Sequence, residues 1–525
     1  MKRTLTVVPQ GLGGELRWAG MDAGDDLALC NYHGRSVLLL RNRDLAAPVA
    51  VTARSTLCSH GRPGDIVRSV GAGETAVFGP FPRGLFNRPD RSVLIETAGA
   101  ATSVELLALE GQHRGDPMIL NPRTATLVVA ASDASTQAKN GADYVCDGVN
   151  DQEELQAAID ALPASGGRVV LSEGRFYTSA AIEVLKHNVV IEGQGISSVV
   201  ISDGDSREID IFDLGDGITT YANLRIANLK IDSVGQKTSN TGLKINRCFK
   251  VWIDKVYIEH QYRAVHLLNA TQVWITNCPI RDTKENGITI ESDLMDGFDW
   301  YIAGLVMDNQ DVVNTGIGIE WLGGETLHIA GADVMNFATG MVIAPPSGKE
   351  CRWAFVEGLI LDTCSDNGLK ISNEGTGNVT GLTFTNSWVG SNANYGVLIE
   401  RPGSGYVEGI RFIGLKAMNN GLAGFRHAGG RQITVDSSDF VSNSATVPGA
   451  RAGIEIAASE ISVLNCRCTN GFGHGASQDW GIRVDNAAID NYMIVGCDLR
   501  GNVQAAGLID EGTGVNKVVA NNLPL

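Results

Sequence analysis

From about residue 220 onward, apolar and polar positions alternate in short runs, and each cycle restarts at a glycine. Gly242-Leu243-Lys244-Ile245, Gly287-Ile288-Thr289-Ile290, Gly316-Ile317-Gly318-Ile319 and Gly340-Met341-Val342-Ile343 open successive cycles, with Ala264-Val265 marking one between the first two. Gly368, Gly396, Gly424, Gly453 and Gly481 continue the series, and from Gly340 the steps are 28, 28, 28, 29 and 28 residues. Strict alternation predicts half-buried strands. Two further short runs fall inside each cycle, such as Val251-Trp252-Ile253, Val273-Trp274-Ile275 and Leu382-Thr383-Phe384. Three strands per cycle, apolar inward and polar outward, predict a parallel β-helix. A coil of this kind buries its inner face only by stacking on its neighbours. Asn392, Asn419, Asn443 and Asn470 close their cycles and are expected to stack at turns. About 12–15 coils at ~4.8 Å make a rod roughly 60–70 Å long.

The pattern ahead of the repeats differs. Short apolar runs at 5–8, 37–41, 49–53, 76–78, 93–97 and 104–109 are separated by Gly/Pro-rich turns at 11–14, 62–65 and 79–82. That spacing predicts a small antiparallel β-sandwich over 1–115, then a linker and entry strand over 116–135. The β-helix domain is placed at 136–525. One helix is expected near 151–162: Asp151 as N-cap, Glu154 completing a capping box, and Leu155, Ala158, Ile159 and Leu162 on one face. Its expected role is to cover the open end of the core.

Composition narrows the function. The chain has 525 residues and 63 glycines, well above the ~7% of average usage, which suits a structure with many turns. Its net charge of −17 is uneven: residues 1–120 carry 13 basic and 12 acidic side chains, the rest 29 and 47. An acidic rod argues against nucleic-acid binding. No apolar run reaches the ~18 residues of a membrane span, and the apolar stretch before Pro9 is too brief for a secretory signal. The expectation is a soluble product made in a cytoplasm. The ten cysteines and nine histidines show no metal spacing, so buried thiols and no metal site or cofactor are expected. His427 falls at an inward phase and is expected as a satisfied core group.

Two outward columns carry candidate chemistry. The middle residue of the Val-x-Ile runs reads Trp252, Trp274, Tyr301 and His328, then Thr383, Arg411, Thr434 and Ser462. Flat rings suit packing against a neighbouring subunit, the first reading of such a column, and they also suit sugar faces. Asp232, Glu259, Asp282, Asp308 and Asp362 are expected as an acidic column at the end of the following strand. Glu291 and Glu320, each four residues past its cycle glycine, form a second outward pair. Paired carboxylates are what glycoside hydrolysis needs, an acid beside a base or nucleophile. The alternative for Glu291, Glu320, Asp282 and Asp308 is an ordinary solvated acidic face. A lyase would instead use a Lys or Arg base with carboxylate-held Ca²⁺, and Lys255, Arg281 and Lys284 lie in the same coils.

The stretch from Asp147 to Pro163, with Gly166-Gly167-Arg168-Val169-Val170-Leu171 through Tyr177 after it, resembles the entry segment of the pectate-lyase-like right-handed parallel β-helix superfamily, in its phage tail-spike and fibre form. The runs at 37–42, 73–82 and 86–87 are similar to small head-associated decoration proteins of tailed phages. The resemblance implies a virion protein. Residues 1–115 would anchor it to the major capsid protein or other virion proteins, on the capsid in preference to the tail. The β-helix would project as a homotrimer that contacts host-surface polysaccharide. Its enzymatic alternative is a depolymerase, a polysaccharide hydrolase or lyase.

Overall fold

The computed structural model describes residues 4–7, 19–21, 26–30, 36–44, 46–54, 66–78, 92–98 and 104–110, and residues 125–524 apart from 203–207, 293–296, 312–315, 472–474 and 476. The turns expected at 11–14, 62–65 and 79–82 lie outside these residues. The chain falls into two compact units, Met1–Pro122 and Arg123–Leu525.

The first unit contains a five-stranded and a four-stranded sheet. Its pairings are antiparallel except that Thr4–Val7 runs parallel to Asp26–Cys30. All six expected strands are present, and Ala19–Met21, Asp26–Cys30 and Ile66–Val70 add three that carry no clear alternation. Leu38 and Leu40 of one sheet and Val51, Ala53, Val93 and Ile95 of the other are fully buried, so a dry core holds this unit together.

The second unit is a parallel β-helix of about 12 turns. Each coil has three faces. The first and second are often one strand bent at a single left-handed residue. Cys248–Glu259, Phe298–Asp308, Gly324–Met335 and Glu350–Asp362 bend in this way at Lys255, Gly304, Gly331 and Gly358, with φ between 55° and 66°. The third face is a 13-stranded sheet built from the glycine-led runs. Its register is the predicted repeat: Met341, Leu369, Val397, Phe425, Ile454 and Ile482 stack in order. Ala264-Val265 marks the short coil, because Val265 pairs with Leu243 and Ile288.

Two details of the repeat differ from expectation. Ile288 pairs with Ile319, so Gly318 is the cycle glycine and Gly316 belongs to the corner before it, at φ 78°. The turn amides that stack are Asn392, Asn420 and Asn443, linked Nδ2 to Oδ1 at 2.9 Å each, and then Gln478 and Asn502. Asn419 is the left-handed residue beside this column, and Asn470 instead donates to the Gln478 carbonyl. The amide column explains the glycines: a Cβ at Gly368 or Gly396 would fall 2.8 Å from the Nδ2 of Asn392 or Asn420.

The helix runs Gln152–Ala161 and buries Leu155, Ala158 and Ile159 against the first coils. Its capping box does not form. The Asp151 carboxylate is buried and accepts from the amides of Gly148 and Tyr177, both at 2.8 Å, tying the helix entry to the neighbouring strand. A second short helix, Thr136–Gly141, was not expected. Cys146, Cys248, Cys278, Cys351, Cys364, Cys466, Cys468 and Cys497 are buried. No helix among these residues is long and apolar enough to cross a membrane.

His427 points inward as predicted, but neither ring nitrogen has a hydrogen-bond partner. Its column neighbours are Ile399 and Ile456. Burial pushes its pKa down to about 4. Between the ordinary value of 6.5 and about 4 the unfolded chain holds a proton that the native one does not. Stability is therefore lost as pH falls through that window, by about 3 kcal/mol. His427→Ile is expected to remove this loss, which urea titrations of both chains at pH 7 and pH 4.5 would measure.

Candidate functional site

The first face carries a continuous ladder of five rings. Trp252, Trp274, Tyr301, His328 and Phe355 stand at one register position on consecutive coils. Consecutive ring centroids lie 5.0, 5.4, 4.7 and 5.2 Å apart, with interplanar angles of 18° or less. This spacing is the coil rise itself, so in-register stacking places the rings face to face. Four of these residues were read from the sequence. Phe355 was missed because the coil between His328 and Thr383 was skipped, although it repeats the same 27-residue step.

The stacking changes what the rings can do. Trp274, Tyr301 and His328 each have a neighbour over both faces and offer only their edges. The ladder's two ends are Trp252, which stands opposite Arg225 of the preceding coil, and Phe355, which is 52% exposed. Beyond it the column shrinks to Thr383, Arg411, Thr434 and Ser462, so the surface steps down into a groove of about 610 Å³. A smaller cavity of about 320 Å³ lies against the same ring, where Ala303 and Ala330 leave space beside Tyr301 and His328.

Trp353 forms the other part of the groove's wall. It is 48% exposed and holds a left-handed backbone, φ 63°, which bulky side chains rarely adopt. Its column of corner residues continues as Gly381 and Gly409, also left-handed, and these lay a floor without side chains. The indole lies over Gly381, where a Cβ would fall 2.5 Å from the Trp353 Cε3. Gln432, Glu460 and Asn491 rim the far end. Other coils place Lys250, Gln272, Asp299, Thr326 and Gln432 at this corner, so Trp353 stands out only once the coils are aligned.

The acidic candidates sit elsewhere. On the second face the register runs Asp232, Glu259, Arg281, Asp308, Met335 and Asp362. Arg281, not Asp282, therefore stands in the column, and Asp282 is buried one residue beyond it. There it accepts from the Asp311 amide, and burial raises its pKa. Asp308 accepts from the Asn336 side chain at 2.8 Å. Asp232, Glu259 and His260 have ligand atoms close enough to share an ion. Lys230 already bridges the two carboxylates at 2.8 and 2.6 Å, and His260 bonds Asp232 at 2.9 Å, so the cluster is neutralised from within. A second such group, Cys146, Asp151 and Glu154, is poorly suited to a metal: burial pushes the thiol well up, and Asp151 is spent on two amides.

Glu291 and Glu320 lie on adjacent coils of the third face, but not at one position. Glu320 aligns with Thr289, two residues before Glu291. Strand rise and coil spacing put their Cα atoms about 8 Å apart. Their environments pull in opposite directions. Glu291, beside His266 and with Lys349 Nζ at 3.1 Å, has its pKa lowered to about 2. Burial raises that of Glu320, against the Asn286 amide at 2.7 Å and the Thr289 hydroxyl.

No protein-family model matches the chain, and no curated protein matches its sequence. Among solved structures, the A-module of the mannuronan C-5 epimerase AlgE6 of Azotobacter vinelandii shares 16% identity at a TM-score of 0.42, over 71% of this chain and 94% of that one. The Agl-KA catalytic domain gives 11% and 0.46, over 96% and 89%. A tailspike mutant of the E. coli bacteriophage HK620 gives 12% and 0.44, over 71% and 76%.

The opposed carboxylates make a stability prediction. Contacts that hold Glu291 near 2 contribute above the ordinary value of 4.5 and are lost as pH falls from there. Glu291→Gln is expected to cost about 1 kcal/mol at pH 7, modest because the pair is partly solvated. Glu320→Gln removes a desolvated charge and is expected to be neutral or stabilising. Paired denaturation curves at pH 7 check both.

Proposed function

We propose that this chain is a virion-associated host-recognition protein whose β-helix binds surface glycan at the groove beyond Phe355. One observation carries this reading: the ladder ends in a free aromatic face beside a glycine floor, with Thr383, Arg411, Thr434 and Ser462 offering polar groups along it. A free ring face packs on the C–H face of a sugar while hydroxyl, amide and guanidinium groups satisfy its oxygens. The likeness of residues 147–177 to phage tail-spike and fibre proteins supports the virion setting. In this reading residues 1–115 dock on other virion proteins, at the capsid surface, and the rod projects as a homotrimer. Charge fits the division, since the near-neutral part docks and the acidic part stays soluble.

A second reading, polysaccharide cleavage, draws on Glu291 and Glu320. A carboxyl with a raised pKa on the coil next to one held ionised is the division of labour that glycoside hydrolysis uses.

On a microarray of bacterial surface polysaccharides, wild type is expected to bind a defined subset. Phe355→Ala is expected to lose that binding at least about tenfold with little change in melting temperature. Tyr301→Ala, from inside the ladder, should lower stability instead. Antibody against residues 120–525 is expected to label capsids in electron micrographs, and label confined to tail tips would reject the capsid placement. Reducing-end release from a bound glycan, abolished by Glu320→Gln with binding intact, would replace the binding reading with the enzymatic one.

A further inference from the structure

We infer that the groove selects an acidic saccharide, with one sugar ring on Phe355 and Trp353 and its carboxylate on Arg411. This rests on the glycan reading of the same groove. Outward arginines on this rod are generally matched to a carboxylate: Arg225 with Asp254, Arg426 with Glu455, Arg467 with Asp439, Arg352 with Glu325, and Arg431 with Glu408. With 47 acidic against 29 basic residues after position 120, partners are plentiful. Arg411 is exposed in the groove, and no ion-pair or hydrogen-bond partner is recorded for it among the described residues. Its coil neighbours in the column are Thr383 and Thr434, neutral and short, so the guanidinium is not screened by a carboxylate directly above or below it.

The wall is placed to bring an anion there. Gly409 leaves the floor open beside the Trp353 indole, which itself lies over Gly381, so a sugar unit can rest on Phe355 or Trp353, two coils from Arg411. A pyranose unit spans about one coil rise of ~4.8 Å, so a carboxyl on that unit or the next comes within reach of the guanidinium. The planar fork of arginine matches a carboxylate through two parallel N–H···O bonds. Glu460 at the far rim adds direction, since it disfavours an acidic unit at that end and favours one beside the wall. Trp353 holds its strained backbone where the next two coils use glycine.

Oligogalacturonate, oligomannuronate and sialic-acid oligomers, each beside its carboxyl-reduced form, would be titrated calorimetrically against the full chain, with phosphorylated mannan and neutral dextran fragments as further probes. Wild type is expected to bind at least one acidic form about tenfold tighter than its reduced form, a preference that shrinks with added salt. Arg411→Gln should erase the preference, bringing the acidic form down to the affinity of its reduced form. Trp353→Gly should weaken both forms. Glycine suits that left-handed corner, so this variant should melt no lower than wild type. Equal affinity for acidic and reduced forms, a preference that survives Arg411→Gln, or an Arg411-dependent preference for phosphorylated mannan would each overturn the inference. Binding of neutral dextran alone would overturn it while sparing the glycan reading, and wild type binding no glycan of any kind would remove both.

Discussion

In-register stacking of coils is the constraint on which everything else in the β-helix depends. Parallel backbone hydrogen bonds fix each residue directly above its counterpart one coil away, at the strand spacing of ~4.8 Å. Whatever stands at a position is repeated as a column. Apolar columns become the core, from Leu243 through Ile482 on the third face. Amide columns become the ladder of Asn392, Asn420 and Asn443, and glycine columns become the gaps that the amides fill. Five aromatic residues at one outward position become stacked rings for the same reason.

This geometry explains what was legible in the sequence and what was not. Alternation and the 28-residue period located the strands of the third face and the inward phase of residues such as His427, because those features follow from strand periodicity alone. The errors cluster at corners. Asp282 was taken for Arg281, Asn419 for Asn420 and Gly316 for Gly318, each displaced by one or two residues. A corner spends a residue in the left-handed conformation and resets the phase. Lys255, His260 and Gln272 do this alongside the more usual glycines and asparagines, so residue type alone does not locate the reset. The Asp151 capping box failed for a different reason: its carboxylate found amides across the chain, at Tyr177, that outcompeted the helix's own.

The site was half legible. Four of its rings were read from their column, but the function expected of them assumed free faces. Stacking at about 5 Å takes those faces away from every interior ring, so the chemistry moves to where the column breaks, at Phe355. Trp353 and the glycine floor could not be seen beforehand. They lie on a corner column whose register becomes visible only once the coils are aligned.

The two candidate chemistries occupy different faces of one rod, and this bears on how they relate. Glu291 and Glu320 sit at the level of Tyr301 and His328, since each third-face strand leads directly into the coil that carries one of those rings. The groove is cut into the first face and begins at the next coil, at Trp353 and Phe355. A short glycan seated on Phe355 therefore does not present its bonds to the carboxylate pair of the same subunit. Binding at the groove and chemistry at the pair are separable by construction. A protein that only recognised its glycan would lose nothing if the pair were neutralised. One that cleaved would need either a chain long enough to wrap around the rod or a second subunit's pair brought to the groove. The columns run along the axis, so a polysaccharide that follows the groove stays on the first face and passes Phe355, Thr383, Arg411 and Thr434 without meeting the pair on the third.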